Sequence, residues 1–337
     1  MNVIYFHTHD SGRYLDPGNA PRRMPNLERF AGSAVSFRNA FSAAPTCSPS
    51  RAALLTGTSP HVAGMVGLSH RGFRLRDSKT HMCSVIAGAQ MERVLCGVQH
   101  VAGDKSELGY DRILDETEEY FNQPDLVPHD WDLRNAGRVA EFITADHERP
   151  FFLSYGLLTT HRPFPELSGG EPERGFPPPP PPVPDTPETR RDMARFTAAL
   201  STVDAALGVV LDALEKAGVA EETAIIVTTD HGPPFPQMKC TLRDGGIGVG
   251  LLMRIPGVTK GGTLEHGLVS QLDIVPTVCE LLGLQTPEEA EGRSLLPLLR
   301  GEVDTVRDVL CAEINYHAVY EPARAIRSER YKLIRNY

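Results

Sequence analysis

Short apolar runs that end in polar residues recur along the chain, and this pattern predicts the strands of a buried sheet. Continuous runs of this kind are typical of parallel strands that are covered on both faces. One run, residues 35–41, alternates instead, as is typical of a strand with a single buried face. The predicted strands are residues 3–6, 35–41, 93–100, 150–156, 223–229 and 250–254.

Helix-period patterns separate these runs. Residues 25–34 and 135–145 have the spacing of amphipathic helices. The longest predicted helix has Thr186 as its cap and Pro187 at its first position, and it stops at Gly218. A capping threonine, an early proline and a terminal glycine are the expected boundary signals of a helix. Alternating strands and helices predict an α/β fold.

The end of the chain has a different pattern. Short strand-like runs follow one another after about residue 305, without helical spacing between them. Such a series predicts a small antiparallel subdomain. We therefore divide the chain into a large domain, residues 1–304, and a smaller one, residues 305–337. The predicted strands of the smaller domain are 309–313, 323–327 and 332–335.

Composition and charge narrow the class of protein. A chain of 337 residues has room for one large domain with an appendage. The net charge of −9 argues against a nucleic-acid partner or an anionic membrane surface. The six cysteines are scattered singly, which predicts reduced thiols. No basic and apolar leader precedes the first strand, and no apolar run approaches membrane-spanning length, so we expect a cytoplasmic protein.

A cysteine stands at the predicted start of a helix. Ser48 is the expected N-cap and Pro49 suits an early helical position. Cys47 should then lie at a helix N-terminus, where free N–H groups favour negative charge. Arg51 follows one turn later and can point back to the same spot. A buried, inert cysteine beside a capped helix is an equally good interpretation of this geometry.

Histidines and aspartates follow two of the predicted strands. His7, His9 and Asp10 come within four residues after the first predicted strand, and Asp230 and His231 come after residues 223–229. Ligands of open α/β sheets bind at the carboxyl ends of the strands. Carboxylates and imidazoles at that edge suggest a metal site. Solvated loops with capping side chains are the alternative.

Two further histidines are interpreted differently. His61 and His70 follow the cysteine segment in a loop that contains several glycines. Without a partner motif beside them, we predict that both are structural or surface residues rather than ligands.

The cysteine segment carries a resemblance to a known family. Cys47–Arg51, with the sequence CSPSR, and Leu55–Gly57, with the sequence LTG, resemble without a gap the signature of the type I sulfatases. In that family the cysteine is converted to formylglycine, whose hydrated aldehyde is the nucleophile. The resemblance covers nearly the whole chain and implies an alkaline-phosphatase-like α/β/α sandwich with a mostly parallel sheet. The family usually continues further, so the C-terminal subdomain is expected to be shortened.

The resemblance implies a set of metal ligands. These are His9, Asp10, Cys47 after its conversion, Asp230 and His231. The family's first strand ends in an Asp-Asp pair, for which this chain has His9-Asp10. Asp230-His231 matches a recurring variant of the second metal pair. One divalent ion is expected, calcium by the family default, with manganese or zinc also suited to the histidines.

The catalytic residues implied by the resemblance are Cys47, Arg51, His100, His161 and Lys239. Cys47 supplies the nucleophile once it is converted. Arg51 and Lys239 hold developing negative charge. His161 and Lys239 assist the leaving group, and His100 acts as a base.

One position departs from the family pattern. Relatives commonly have Gly-Lys-X-His where this chain has Gly97, Val98 and His100 in the same frame. Val98 removes a positive charge from the expected pocket. Arg13 or Arg71 could supply the missing charge.

The resulting hypothesis is a sulfatase acting on a small anionic sulfated substrate, such as a sulfated sugar. Among sulfatases the chain looks most like prokaryotic relatives of the sulfamidase kind. A formylglycine-generating maturation enzyme is the implied partner, and homo-oligomerisation is left open. The alternatives are a metal-dependent phosphodiesterase or phosphonate monoesterase of the same superfamily, favoured by Val98, and a non-catalytic sulfatase-like protein.

Overall fold

The computed structural model describes residues 1–115, 126–167 and 176–337. Its strands are β1 (Asn2–Thr8), β2 (Val35–Phe41), β3 (Glu92–Gly97), β4 (Arg112–Ile113), β5 (Phe151–Gly156), β6 (Thr223–Thr229), β7 (Leu251–Arg254), β8 (Thr263–Ser270), β9 (Val309–Tyr316), β10 (Tyr320–Ser328) and β11 (Lys332–Asn336). Its α-helices are α1 (Pro25–Ser33), α2 (Cys47–Thr56), α3 (Pro60–Ala63), α4 (Met82–Val85), α5 (Pro128–Thr144), α6 (Pro187–Ala217), α7 (Asp244–Ile247), α8 (Ile274–Leu281) and α9 (Leu296–Leu299).

An eight-stranded sheet in the order β4-β3-β5-β1-β6-β7-β2-β8 forms the centre of the protein. Strand β1 pairs in parallel with both β5 and β6. Strand β7 runs antiparallel to both of its neighbours, β6 and β2. The predicted α/β fold with a mostly parallel central sheet is confirmed.

Alternate residues of β1 enter two different cores. Ile4 and Phe6 pack in a core that includes residues of α1, α5 and α6. Val3 and Tyr5 pack in a second core with residues of α2 and α8. Successive strand residues point to opposite faces, so a continuous apolar strand needs cover on both sides. The result is the predicted α/β/α sandwich.

Helix α6 has the boundaries that its sequence signals predict. The Thr186 side chain accepts from the Thr189 N–H, and the Thr189 hydroxyl bonds to the Thr186 N–H, which forms a capping box. Pro187 is the first helical residue. Gly218 ends the helix with a φ of 71°, a conformation that glycine adopts without strain.

Helix α6 is also long and apolar enough to cross a membrane by length and composition, contrary to the expectation that no such run is present. However, 72% of its most apolar window is buried within the protein. The core helix of a soluble protein passes the same test, so this helix is weak evidence for a membrane span.

Several predicted boundaries are wrong, and strand β10, for example, begins at Tyr320 rather than at residue 323. Helix α5 begins at Pro128 rather than at residue 135, because the proline takes the first helical position instead of belonging to the preceding loop. The strand expected to reach His100 ends at Gly97. Both Gly97 and His100 have positive φ values, 78° and 53°, which turn the chain out of the sheet.

The three C-terminal strands form an antiparallel sheet in the order β11-β10-β9, as predicted. Hydrogen bonding joins it to the large domain, since the Glu313 N–H donates to the Ala43 carbonyl oxygen at 2.8 Å. The division of the chain at residues 304 and 305 stays a prediction.

Asp273 is buried between the large domain and the segment that leads into β9. Its carboxylate accepts from the Ser270 and Arg293 N–H groups, each at 2.8 Å, and from Arg307 Nε at 3.2 Å. Removing one partner of a buried pair leaves the other charge uncompensated. We expect Asp273→Ala to lower the free energy of unfolding by about 3–5 kcal/mol, measured by urea denaturation.

The matched control for this prediction is Asp212→Ala. Asp212 pairs with Arg29 at 2.7 Å, but its side chain is 67% exposed. Exposed pairs stabilise proteins by less than about 1 kcal/mol, so this variant should unfold almost as the wild type does. Equal losses in the two variants would contradict the role assigned to Asp273.

Candidate active site and metal centre

The predicted metal residues meet because β1 and β6 are neighbours in parallel register. Thr8 pairs with Thr229 at the carboxyl ends of the two strands. The Asp10 N–H then donates to Asp230 Oδ1 at 2.8 Å. His9-Asp10 after β1 and Asp230-His231 after β6 therefore lie at the same edge of the sheet, as the sequence predicts.

Helix α2 begins at the cysteine. Cys47 is the first helical residue and is buried, and Thr46 precedes it in an extended conformation. The prediction of Ser48 as N-cap is wrong, since Ser48 is already helical and its hydroxyl accepts from the Ser69 N–H at 3.0 Å. The hydroxyl of Ser50 donates to the Asp230 carbonyl oxygen, which fixes the helix start against the end of β6.

The Cys47 thiol faces cationic and hydrogen-bonding groups. Its Sγ lies 3.4 Å from His231 Nε2. Burial raises the pKa of Cys47, but the charges of Lys239 and His231, with hydrogen bonds to His100 and His231, bring that pKa well below its ordinary value. Lys239 Nζ also donates to Asp10 Oδ2 at 2.7 Å. A thiol in such surroundings is reactive rather than inert.

The donor set around Cys47 fits a divalent cation. One ligand atom from each of His9, Asp10, Cys47 and Asp230 lies within 4.8 Å of the others, and all four residues are buried. Burial and Arg51 lower the pKa of His9, but Asp230 and Asp10 outweigh them and raise it to about 10. Two buried carboxylates that raise the pKa of a neighbouring imidazole favour positive charge at this point of the site. Oxygen and nitrogen donors suit calcium, manganese or zinc.

His231 lies beside this group rather than within it. Its Nε2 is 3.3 Å from Asp10 Oδ1, and its Nδ1 contacts the Gly232 carbonyl oxygen at 2.9 Å. Its assignment as a metal ligand stays a prediction.

The other predicted catalytic residues surround the same centre. Arg51 Nη2 lies 3.2 Å from Asp230 Oδ2. The ring centroid of His9 is 5.7 Å from that of His100 and 5.2 Å from that of His161. Burial lowers the pKa of His100 to about 4 and also lowers that of His161. The structure thus brings together every residue that the sequence predicted for the site.

Two further histidines, His7 and His70, belong to this region. The ring plane of His70 is nearly parallel to that of His100, and His70 Nδ1 lies 3.2 Å from His100 Nε2. His7 contacts Arg51, as described below. The sequence predicted His7 in the loop after the first strand, in the segment that suggested a metal site, but His7 lies within β1. His61 pairs with Glu313, which agrees with the structural role expected for it.

Val98, at the position where the family commonly has a lysine, contributes to packing. It is buried in a small apolar cluster with Trp131 and Leu158. Arg13, one expected source of the missing charge, stacks over the Phe41 ring at 5.0 Å instead. Arg71, the other, donates to the His317 carbonyl oxygen at 2.8 Å. Lys239 and His231 are the groups whose positive charges lower the pKa of Cys47.

The fold and these residues define a hydrolase of the alkaline-phosphatase-like class. The family model for sulfatases matches residues 4–284, and the model for the C-terminal region of N-sulphoglucosamine sulphohydrolase matches residues 238–337. The chain belongs to the sulfatase family, whose members are sulfuric ester hydrolases.

A curated relative agrees with this assignment, and two solved structures have the same fold. The chain is 30% identical to human N-sulphoglucosamine sulphohydrolase, over 97% of this chain and 70% of that protein. A 2-O GAG sulfatase superposes with a TM-score of 0.83 at 20% identity, over 99% of this chain and 82% of the other. A phosphonate monoester hydrolase from Silicibacter pomeroyi has a TM-score of 0.80 at 20% identity, over 99% and 87% of the two chains.

The chain is shorter than the curated relatives that it matches over nearly its whole length, and it spans 61–72% of them. These relatives are sulfatases and a sulfohydrolase. The expected activity, hydrolysis of sulfate esters or sulfamates, is therefore confirmed at the level of the family.

Proposed function

We propose that this chain hydrolyses the sulfate ester or sulfamate of a small sugar at residue 47, after conversion of Cys47 to formylglycine by a maturation enzyme. The observation that carries the proposal is the placement of Cys47 at the start of α2, 3.4 Å from His231 Nε2 and beside the carboxylates of Asp10 and Asp230. The match of residues 238–337 to the sulphohydrolase model supports the sulfamate and sugar part of the proposal. A cytoplasmic location remains part of the hypothesis.

The groups that the family adds to this site have separate functions. Hydrated formylglycine would supply the nucleophilic hydroxyl at residue 47. A divalent ion held by His9, Asp10, residue 47 and Asp230, with His231 beside them, would polarise the sulfate group. Calcium is the ion we predict.

The protein's own side chains would stabilise charge and transfer protons. Arg51 and Lys239 are the cations that bind the anionic sulfate oxygens and stabilise their charge in the transition state. His161, close to His9, would assist the departure of the leaving oxygen or nitrogen together with Lys239. His100, which is hydrogen-bonded to the side chain of residue 47, would accept a proton from that side chain.

Substrate preference tests this proposal against a phosphodiesterase. A phosphodiester has a second organic substituent where a sulfate monoester has a third non-bridging oxygen, so it offers fewer anionic oxygens to Arg51 and Lys239. We expect kcat/KM for an aryl sulfate or for N-sulfoglucosamine to exceed that for an aryl phosphodiester by at least about tenfold.

The Cys47→Ala protein is assayed on each substrate as a control. Its residual rate measures hydrolysis by contaminating enzymes and is subtracted from the wild-type rate. A preference for the phosphodiester would overturn the proposed substrate class. The absence of turnover on all three substrates, in protein whose residue 47 is converted, would favour the non-catalytic alternative.

A further inference from the structure

His7 is a polar residue buried in the central strand of the sheet. It is 1% exposed, and its ring stacks on Tyr5 with centroids 4.3 Å apart. A Cβ atom on Gly156 would lie 2.5 Å from His7 Cε1, so the imidazole occupies space that only glycine on the neighbouring strand leaves open. Neither contact explains why this position carries a histidine rather than an apolar ring.

The hydrogen bonds of His7 give that explanation. His7 Nδ1 lies 2.6 Å from Arg51 Nη1, and His7 Nε2 lies 3.4 Å from Ser154 Oγ. A guanidinium can only donate. Nδ1 is therefore the acceptor, and the proton resides on Nε2. An imidazole that accepts a hydrogen bond at Nδ1 and has its proton on Nε2 is neutral.

Two other contacts of Arg51 come from the ends of the same two strands that form the metal site. Arg51 Nη2 donates to the Thr8 carbonyl oxygen at 3.0 Å and lies 3.2 Å from Asp230 Oδ2. His7 is the contact on the opposite terminal nitrogen. The planar guanidinium is thus held on both of its terminal nitrogens, which fixes its rotation as well as its position.

We propose that His7 is a positioning residue, whose neutral imidazole fixes the Arg51 guanidinium against Asp230 and beside residue 47. This inference rests on the proposed function, in which Arg51 binds the charge of the reacting anion. A carboxylate at position 7 would hold Arg51 equally well, but it would also neutralise the guanidinium. A neutral acceptor fixes the side chain and leaves its charge for the substrate.

Two substitutions separate positioning from packing. His7→Phe keeps a ring against Tyr5 and removes the acceptor, whereas His7→Asn keeps an acceptor oxygen close to the place of Nδ1. We expect His7→Phe to lower kcat by about tenfold to a hundredfold with little change in KM, because displacements of about 1 Å cost rates of this order. His7→Asn should remain within about threefold of the wild type.

The kinetic comparison is made per converted residue 47, determined by peptide mass, on whichever of the aryl sulfate, N-sulfoglucosamine and aryl phosphodiester the wild type hydrolyses fastest. If the proposed substrate class is wrong, the kcat values of the His7 variants and the wild type can still be compared on the substrate that is hydrolysed. Wild-type kcat in His7→Phe, or equal losses in the Phe and Asn variants, would overturn the proposal.

Histidine ¹⁵N resonances test the same contact without activity. The His7 imidazole should give the shifts of a neutral ring protonated at Nε2, and its Nδ1 resonance should move in Arg51→Lys. The control Arg38→Lys, at a residue that pairs with Asp16 elsewhere, should leave it unchanged. A proton on Nδ1, or an Nδ1 resonance insensitive to Arg51→Lys, excludes the contact.

Discussion

Replacing Cys47 by alanine should abolish hydrolysis, with kcat/KM for an aryl sulfate at least about a thousandfold lower than in the wild type. The variant removes the side chain on which His231, His100 and Lys239 converge. The hydroxyls of the helical neighbours Ser48 and Ser50 are engaged in hydrogen bonds to the Ser69 N–H and the Asp230 carbonyl oxygen.

Peptide mass is measured beside the kinetics. In active wild-type protein, the peptide that contains residue 47 should have the mass of the aldehyde rather than of the thiol. Activity should rise in proportion to the converted fraction. Full activity in Cys47→Ala would refute the proposed role of this residue, and full activity in unconverted protein would refute formylglycine.

Cys279→Ala is the matched control. Cys279 is also buried, but it lies in α8 within the second core, and burial raises the pKa of its thiol to about 11. An inert structural thiol contributes packing and no chemistry. This variant should unfold at a somewhat lower urea concentration and keep kcat within about threefold of the wild type.

The parts of the fold that could be predicted are those with local signals. The bounds of β6 agree with the prediction residue for residue, because a continuous β-branched and apolar run between polar residues has one interpretation. The start of α6 was predictable because its capping side chain lies three residues from the N–H that it caps. Neither element needed knowledge of its neighbours.

The parts that could not be predicted depend on contacts between distant segments. Ser48 was expected to cap its own helix, but its hydroxyl bonds to Ser69, which lies in a separate loop. His70 was expected to be structural, and its contact with His100 joins two loops that no local pattern relates. The contact of His7 with Arg51 crosses from the sheet to a helix in the same way.

The candidate site contains features that could be predicted from the sequence and features that could not. Resemblance to a family gave the site residues in chain order, and parallel pairing of β1 and β6 explains why two of their segments meet. The consequence of Val98 could not be predicted, since its burial against Trp131 depends on how α5 packs on the sheet. Val98 therefore contributes to packing between the sheet and α5, which its place in the sequence did not indicate.

Removing the metal should have an effect nearly as large as removing the nucleophile. Purified, unchelated protein should contain about one divalent ion per chain by elemental analysis. Chelation should lower kcat/KM for an aryl sulfate by at least about a hundredfold, since even residues that only support a metal ligand cost ten- to a hundredfold when removed. Readdition of calcium should restore activity. Restoration by manganese or zinc alone would show that the imidazole of His9 determines the choice of ion.

Asp230→Asn tests the same metal site by changing a proposed ligand instead of removing the ion. Asp230 supplies one atom of the ligand group and also contacts Arg51. We expect the variant to lose its bound ion, and its unfolding temperature should no longer rise when calcium is added, because only a ligand that binds the folded state stabilises it. Asp212→Asn, at an exposed surface pair, should keep both the ion and the stabilisation. If the ion content and the calcium-dependent rise in unfolding temperature survive in Asp230→Asn, the metal lies elsewhere, and Asp230 acts through Arg51 alone.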